Sequence, residues 1–332
     1  MPSFRYLFGP VTSRRYGRSL GVDLAVPKTC TLNCRFCQLG PTPTTTVTRT
    51  ASPPLGAVLG ELRAWLASGQ TAAFITASGS GEPTLHRGFG DLLRFARDET
   101  PCRSLLLSNG TLFGLPEVRR EAARADVVKL SLHAWDQASF EQVTRPHPSL
   151  RFETILNGYR AFRQEFGGRI DLEVFLIPGV NDAPEQAQRI AALARQFAPD
   201  SLTLNTAVRP PADTGVTACP QDRLRALAPL FGPDTLISGA EPATAPVALT
   251  ADAVASLVSR HPVSLKSLAA TFALTEEEMR ARLAPLAAQR VLRLFETRGT
   301  VFAGPPVSEN QEPDGGPAQQ NHNRRDAGEG GQ

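Results

Sequence analysis

The chain is poor in cysteine, lysine and most bulky aromatics, and it has no long apolar run. Among its 332 residues are 5 cysteines, 2 methionines, 2 tryptophans and 3 tyrosines. Without an extended apolar stretch there is no candidate membrane span, and Met1 to Phe8 carry arginine rather than an export-type hydrophobic segment. No association with a membrane is expected. A net charge of +3 is too small to announce a polyanionic partner by itself. Lysine occurs only at Lys28, Lys129 and Lys266, so nearly all positive charge is arginine, and its placement matters more than its abundance. What is present is a chain 41% hydrophobic, enough for a sizeable core and for more than one domain.

The scarce cysteines are unevenly placed. Cys30, Cys34 and Cys37 lie in the run Cys30-Thr31-Leu32-Asn33-Cys34-Arg35-Phe36-Cys37, whereas Cys102 and Cys219 stand alone. A structural zinc takes four protein ligands, and an ordinary [4Fe–4S] cluster takes four cysteines. A loop that offers three thiolates holds a cubane by three irons and leaves the fourth open to a small molecule. The competing readings are a zinc site completed by a distant His86 or His133, and three buried thiols. Clustered free thiols favour a reducing compartment, so a cytoplasmic location is expected. The two remaining cysteines are too few for a second cluster with its own full set, and they read as buried structural thiols.

Short β-rich runs alternate with helical patterns from residue 20 to 231. Strands are expected at 20–26, 72–77, 103–108, 127–132, 170–176 and 201–206. Helices are expected at 54–67, 88–98, 150–166, 183–197 and 220–230. Six β/α units in series predict an α/β fold with a parallel sheet and helices outside it, a partial, open (β/α)6 barrel whose site forms at the C-terminal ends of the strands. This barrel, with an N-terminal extension, spans residues 1–231. A Pro- and Gly-rich linker occupies 232–246. Helices at 250–260, 264–270 and 275–289, then a hairpin turning at Arg298-Gly299, give a winged-helix-like domain over 247–304. The polar segment 305–332 reads as a disordered tail.

The cysteine loop, placed after the first strand, resembles that of the radical S-adenosylmethionine (SAM) superfamily. In that pattern the residue before the third cysteine, here Phe36, lies near the adenine of SAM. Ser80-Gly81-Glu82 occupies the position of a Gly-Gly-Glu-like segment that binds the methionine amino group, with Ser80 replacing the first glycine. Ser108 and Asn109 end the third strand, where turn formation competes with hydrogen bonding to SAM. Lys129, Ser131 and His133 alternate along the fourth strand and share one face. A lysine inside a barrel is costly unless it meets an anion. His133 departs from the superfamily's pattern, and it reads equally as a substrate contact or proton carrier and as a hydrogen-bonded core histidine. Val180 and the apolar face of strand five read as a bed for adenine or as ordinary core, and Asn181-Asp182 as a helix cap. Asn205 on strand six joins Phe36, Ser80, Gly81, Glu82, Ser108, Asn109, Lys129 and Ser131 in the set of SAM contacts that the resemblance implies, and Arg209 follows it at the mouth.

Phe8 to Gly21, Arg145-Pro146-His147 and Arg209-Pro210-Pro211 are similar to the group of wyosine-synthase-like Fe–S oxidoreductases. The resemblance implies a [4Fe–4S] cluster on Cys30, Cys34 and Cys37, SAM on the open iron, reductive cleavage to a 5′-deoxyadenosyl radical, and hydrogen abstraction from a substrate. It also implies an electron donor such as flavodoxin or ferredoxin. A tRNA base is one candidate substrate, suggested by the family likeness and by Arg14, Arg15, Arg18, Arg145 and Arg209, expected near the mouth. Glu276-Glu277-Glu278 would face phosphate badly. The alternatives are an activase or modifier of a protein or small molecule, and a cluster-based redox sensor acting through the winged helix.

Overall fold

The computed structural model describes residues 4–13, 15–25, 27–238, 251–258, 262–272, 274–297 and 299–306. Arg14, linker residues 239–246, Arg298 and the tail from 307 onward lie outside the described residues.

The fold opens with an antiparallel hairpin, β1 (Leu7–Ser13) and β2 (Gly17–Val22). Helices and strands then alternate: α1 (Leu55–Ala67), β3 (Phe74–Ala77), α2 (Phe89–Glu99), β4 (Arg103–Leu107), α3 (Pro116–Ala122), β5 (Val127–Ser131), α4 (Gln137–Thr144), α5 (Phe152–Glu165), β6 (Arg169–Phe175), α6 (Pro184–Ala194), β7 (Ser201–Asn205), α7 (Gln221–Phe231) and β8 (Leu236–Ile237). The sheet runs β1 to β8 in order, parallel from β2 onward. This is the open α/β barrel expected from the sequence, with β1 and the two-residue β8 added at its edges. β2 stops at Val22 rather than at 26, because the Asp23 carboxylate accepts the Ala25 N–H at 2.9 Å and turns the chain. The short helices α3 and α4 were not anticipated.

Period-two alternation assigns the two faces of each strand. Leu20, Val22, Ile75, Ala77, Leu106, Val128, Leu130, Leu172, Val174, Leu202 and Leu204 all join the main core shared with the helices. Each fully buried leucine or valine of this face contributes about 1.5–3 kcal/mol. The alternate residues form the inner face, which has three zones. Tyr16, Phe74, Leu105 and Val127 make an apolar cluster toward the strands' N-terminal ends. Phe175, Ile177, Val143 and Val216, with Phe36, make another toward the C-terminal ends. Between them lies a polar band containing Ser19, Thr76, Lys129, Glu173 and Thr203.

The C-terminal segment has its own core. It comprises α8 (Ala251–Val258), β9 (Val263–Ser264), α9 (Leu265–Phe272), α10 (Glu276–Ala288), β10 (Arg293–Thr297) and β11 (Thr300–Gly304), with its sheet ordered β10-β11-β9. Val254, Leu265, Leu268, Phe272, Met279, Leu283 and Leu292 fill it. The acidic start of α10 is a capping box: Thr275 Oγ1 accepts the Glu278 N–H at 3.2 Å, and the Glu278 carboxylate accepts the Thr275 N–H at 2.8 Å. No helix among the described residues is long and apolar enough to cross a membrane.

Candidate active site at the strand ends

The cysteine loop follows β2 and is held from several sides. Thr46 N–H donates to the Cys30 carbonyl at 3.0 Å, Glu82 N–H to that of Thr29 at 2.9 Å, and His147 N–H to that of Thr31 at 2.9 Å. Asn33 N–H reaches the Thr144 carbonyl at 3.0 Å, and the Asn33 side chain accepts the Thr42 N–H at 2.8 Å. Arg35 and Arg145 both donate to Asp213, at 3.0 and 2.9 Å, and Arg209 donates to Gln38 at 2.7 Å. The loop is therefore held in place by the protein's own hydrogen bonds.

All five cysteines are free thiols. Burial, reinforced by Glu82, pushes the Cys30 thiol up to about 12, and burial followed by the neighbouring Cys30 and Cys37 raises Cys34. The Leu32 N–H and the Lys28 charge act against this at Cys30, and the Lys28 charge does so at Cys34. Lys28 Nζ stands 3.5 Å from Cys37 Sγ, and Asn109 Nδ2 stands 3.6 Å from Cys30 Sγ. Thiols that hold their protons this firmly become thiolates when a cationic group displaces the protons, and N–H donors at the sulfurs suit an iron–sulfur cluster. Among the described residues no group of three or more His, Cys, Asp or Glu converges on a single ion. A cubane makes no such demand, because each thiolate binds a different iron. The zinc alternatives fail on their fourth ligand. His86 has both ring nitrogens engaged, with the Pro53 carbonyl at 2.7 Å and the Gly88 N–H at 2.9 Å. His133 Nδ1 accepts the Phe175 N–H at 2.9 Å, so in the neutral ring the proton sits on Nε2 and leaves it no lone pair for a metal. The donor set fits a three-cysteine cluster.

Around the loop, Gly81 permits a contact no other residue would allow. A Cβ there would stand 1.8 Å from the Thr29 carbonyl oxygen. Ser80 Oγ donates to Asp23 at 2.6 Å, which accounts for serine in place of glycine. Glu82 is buried and ties two strand ends together: it accepts from Thr84 N–H at 3.0 Å, Ser108 Oγ at 2.7 Å and Asn109 N–H at 2.8 Å. Burial pushes its pKa up, and these hydrogen bonds act against that. Asn109 also donates to Thr31 Oγ1 at 2.9 Å. Ser108 and Asn109 thus hold the loop through protein hydrogen bonds.

Phe36 stacks on Phe175 with ring centroids 4.0 Å apart and meets the His133 ring edge-on at 4.9 Å. Burial lowers the His133 pKa to about 4, so the ring is neutral near pH 7 and behaves as a core histidine. Asn181 does not cap α6. Its side chain donates to the His133 and Phe175 carbonyls, each at 2.8 Å, and accepts the Ile177 N–H at 2.7 Å. Lys129 and Ser131 lie on the inner face of β5, and Asn205 ends β7, where its carbonyl accepts the Leu176 N–H at 2.8 Å.

The sequence reading missed several participants. Lys28 lies two residues before Cys30 and was visible as one of three lysines. Asp23 and Asp213 carry no local signal. Glu173 pairs with Lys129 at 3.2 Å and with Arg15 at 2.8 Å. That last contact corrects the placement of Arg15. It enters from the turn before β2, at the strands' N-terminal ends opposite the cysteine loop, as does Arg18, whereas Arg145 and Arg209 stand beside the loop.

A family model for the Radical SAM superfamily matches residues 25–191. Over 274 residues the chain is 32% identical to a UPF0026 protein of Helicobacter pylori, covering 78% of this chain and 85% of that protein. The chain therefore belongs to the Radical SAM superfamily, and within it to the UPF0026 proteins. It is 34% identical over 203 residues to a Brachyspira hyodysenteriae protein named GTPase Obg, covering 61% of this chain but 30% of that protein's length. A probable dual-specificity RNA methyltransferase RlmN of Desulforudis audaxviator is 26% identical over 195 residues, 54% of this chain and 56% of that protein. Among solved structures, Streptococcus suis SuiB bound to precursor peptide SuiA aligns with a TM-score of 0.50 at 16% identity, over 66% of this chain and 48% of that one. A structure of TYW1 with a lysine-pyruvate adduct aligns with a TM-score of 0.49 at 19% identity, over 64% of this chain and 72% of that one. The SuiB likeness bears on the fold alone.

Proposed function

We propose that this protein is a radical SAM enzyme that holds a [4Fe–4S] cluster on Cys30, Cys34 and Cys37 and modifies an RNA base, with tRNA as the first substrate to test. The observation that carries the cofactor assignment is three cysteines on one hydrogen-bonded loop, with both ring nitrogens of His86 and the Nδ1 of His133 engaged elsewhere. When bound, the reduced cluster and SAM supply reductive carbon–sulfur cleavage and a 5′-deoxyadenosyl radical. The chain's own residues do the rest. Asn109 and Lys28 donate to the sulfurs, Gly81 lets the β3 loop close on the cysteine loop, and Phe36, Phe175 and neutral His133 provide an apolar wall that keeps water from the radical. Phe36, Ser80, Gly81, Glu82, Ser108, Asn109, Ser131 and Asn205 remain proposed SAM contacts, while Lys129, ion-paired with Glu173, is assigned to the substrate side of the chamber. Electrons come from a flavodoxin- or ferredoxin-type donor.

The RNA reading is supported by the likeness to an RNA methyltransferase and by Arg35, Arg145 and Arg209 beside the loop. We assign the C-terminal unit as a winged-helix-like module, and the acidic first turn of α10 makes a protein partner its better fit. Incubating reduced, cluster-loaded protein with SAM and unmodified tRNA, then analysing the nucleosides by mass spectrometry, tests the substrate. A new nucleoside mass supports it. 5′-Deoxyadenosine formed at a rate indifferent to tRNA, with no new nucleoside, contradicts it. RNA affinity should also fall with salt at a log–log slope of roughly −0.7 per phosphate contacted.

A further inference from the structure

The polar band inside the barrel carries more positive than negative charge. Glu173 is bracketed by two cations, Lys129 Nζ at 3.2 Å on one carboxylate oxygen and Arg15 Nη2 at 2.8 Å on the other. The Lys129 and Glu173 side chains are only 13% and 12% exposed, so bulk water compensates them poorly, whereas Arg15 is an exposed residue whose side chain, 26% exposed, reaches in from the rim. Asp171, the other carboxylate on this face of β6, accepts from Tyr16 OH at 2.7 Å and from Arg169 Nε at 2.7 Å and also acts on Arg15 through its charge. The trio taken by itself carries one unit of positive charge.

Its donors are also underused. An ammonium has three N–H groups and a guanidinium five. Among the described residues, Lys129 makes one hydrogen bond, to Glu173, and Arg15 makes two through its side chain, to Glu173 and to Thr203 Oγ1 at 3.3 Å. Beside them stands the neutral Thr203 hydroxyl, and toward the strand ends come the proposed SAM contacts Ser131 and, two register positions beyond Thr203, Asn205. Ser131 pairs in register with Glu173, and Phe175, two residues further along β6, stacks on Phe36 of the cysteine loop. Half-buried cations with excess charge and spare donors are costly unless an anion completes them.

We propose that this inner-face site, formed by Lys129 and Arg15 across Glu173, binds an anionic group of the substrate, a carboxylate or a phosphate. This deepens the function proposed above and rests on the barrel interior being the reaction chamber. Glu173 fixes the two cations in place. The incoming anion takes their unused N–H groups and neutralises the residual charge. The substrate is thereby held by its charged end below the Phe36–Phe175 wall, leaving its reacting carbon toward the cysteine loop. Lys129 and Arg15 act here as binding and positioning residues.

The test uses the full-length, cluster-loaded protein under anaerobic conditions with SAM present, and follows the melting temperature as sodium phosphate or sodium acetate is added at constant ionic strength against sodium chloride. A saturable rise is expected with at least one of the two anions and none with chloride. Phosphate alone assigns a phosphoryl group, acetate alone a carboxylate, and both leave the shared anion chemistry standing. Lys129→Met and, should that variant not fold, Arg15→Met should weaken the response by about tenfold or more in half-saturating concentration. Lys129→Arg should retain it, and Arg160→Met on exposed α5 should leave it unchanged. No saturable rise with either anion, or a rise that survives both Lys129→Met and Arg15→Met, overturns the proposal. Cluster content and 5′-deoxyadenosine formation of the unaltered protein are scored separately, so failure of the radical SAM reading is distinguishable from failure of the anion site.

Discussion

The two faces of the same strands do different work. On β5, Val128 and Leu130 point into the helix-covered core while Lys129 and Ser131 face inward; on β6, Leu172 and Val174 oppose Asp171, Glu173 and Phe175. The outer face is largely apolar, with Ser104 bonded to Asp126 at 2.8 Å as a buried exception, and its contribution is stability. The inner face alternates apolar, charged and aromatic zones along the barrel, and its charged zone works against stability unless every charge is paired. That an evolved core keeps such a zone supports our proposal that the chemistry lies on the inner face and the strand ends.

The sharpest break between the regions is between two cysteines. Cys34→Ala is expected to abolish cubane assembly altogether, read as loss of stoichiometric iron and sulfide. Cys102→Ala, whose thiol donates to the Ala72 carbonyl at 3.1 Å within the outer core, should leave iron content unchanged. Retained cluster in Cys34→Ala would remove the site assignment.

Adjacent residues on β6 give the next contrast. Leu172→Ala should lower unfolding stability by about 3 kcal/mol in denaturant titrations and leave SAM cleavage per folded molecule intact. Glu173→Gln leaves two cations around a neutral amide, and a loss of about 3 kcal/mol is expected, together with impaired substrate turnover. A Glu173→Gln protein as active and as stable as the parent would dissolve the distinction between faces.

Acid should act mainly through the inner face. His133, lowered to about 4 by burial, is neutral when folded and binds a proton more readily when unfolded, so stability falls as pH drops from about 6.5 toward 4. Burial alone would raise Glu173, but Lys129 and Arg15 outweigh it and bring it down to about 2; its stabilisation is present above about 4.5 and lost as pH falls toward 2. Melting temperatures measured from pH 7 to 3 should decline through both windows, and Glu173→Gln should flatten the lower one.

The smallest contrast concerns two glycines. Gly158→Ala crowds the backbone of Phe113 and should cost about 1–3 kcal/mol with normal cluster content. Gly81→Ala should cost about as much and also displace the cysteine loop, lowering iron incorporation.

Most of this frame is legible in the sequence because it is local. The cysteine spacing, the alternation of Lys129, Ser131 and His133, and the β10–β11 hairpin all follow from neighbouring residues. What was illegible depends on closure of the sheet. Arg15 meets Glu173 across 158 positions of sequence, from the end opposite the one its arginine-rich segment suggested. Asn181 reads as a cap because asparagine before a helix usually is one, and only the folded strand end shows it serving His133. β8 has two residues and no periodicity to detect.

The most direct test is anaerobic reconstitution with iron and sulfide, followed by dithionite and SAM, with electron paramagnetic resonance and detection of 5′-deoxyadenosine. A reduced [4Fe–4S] signal that changes when SAM is added, with 5′-deoxyadenosine released, is the predicted result. A cluster indifferent to SAM, or zinc bound in its place, would contradict the account.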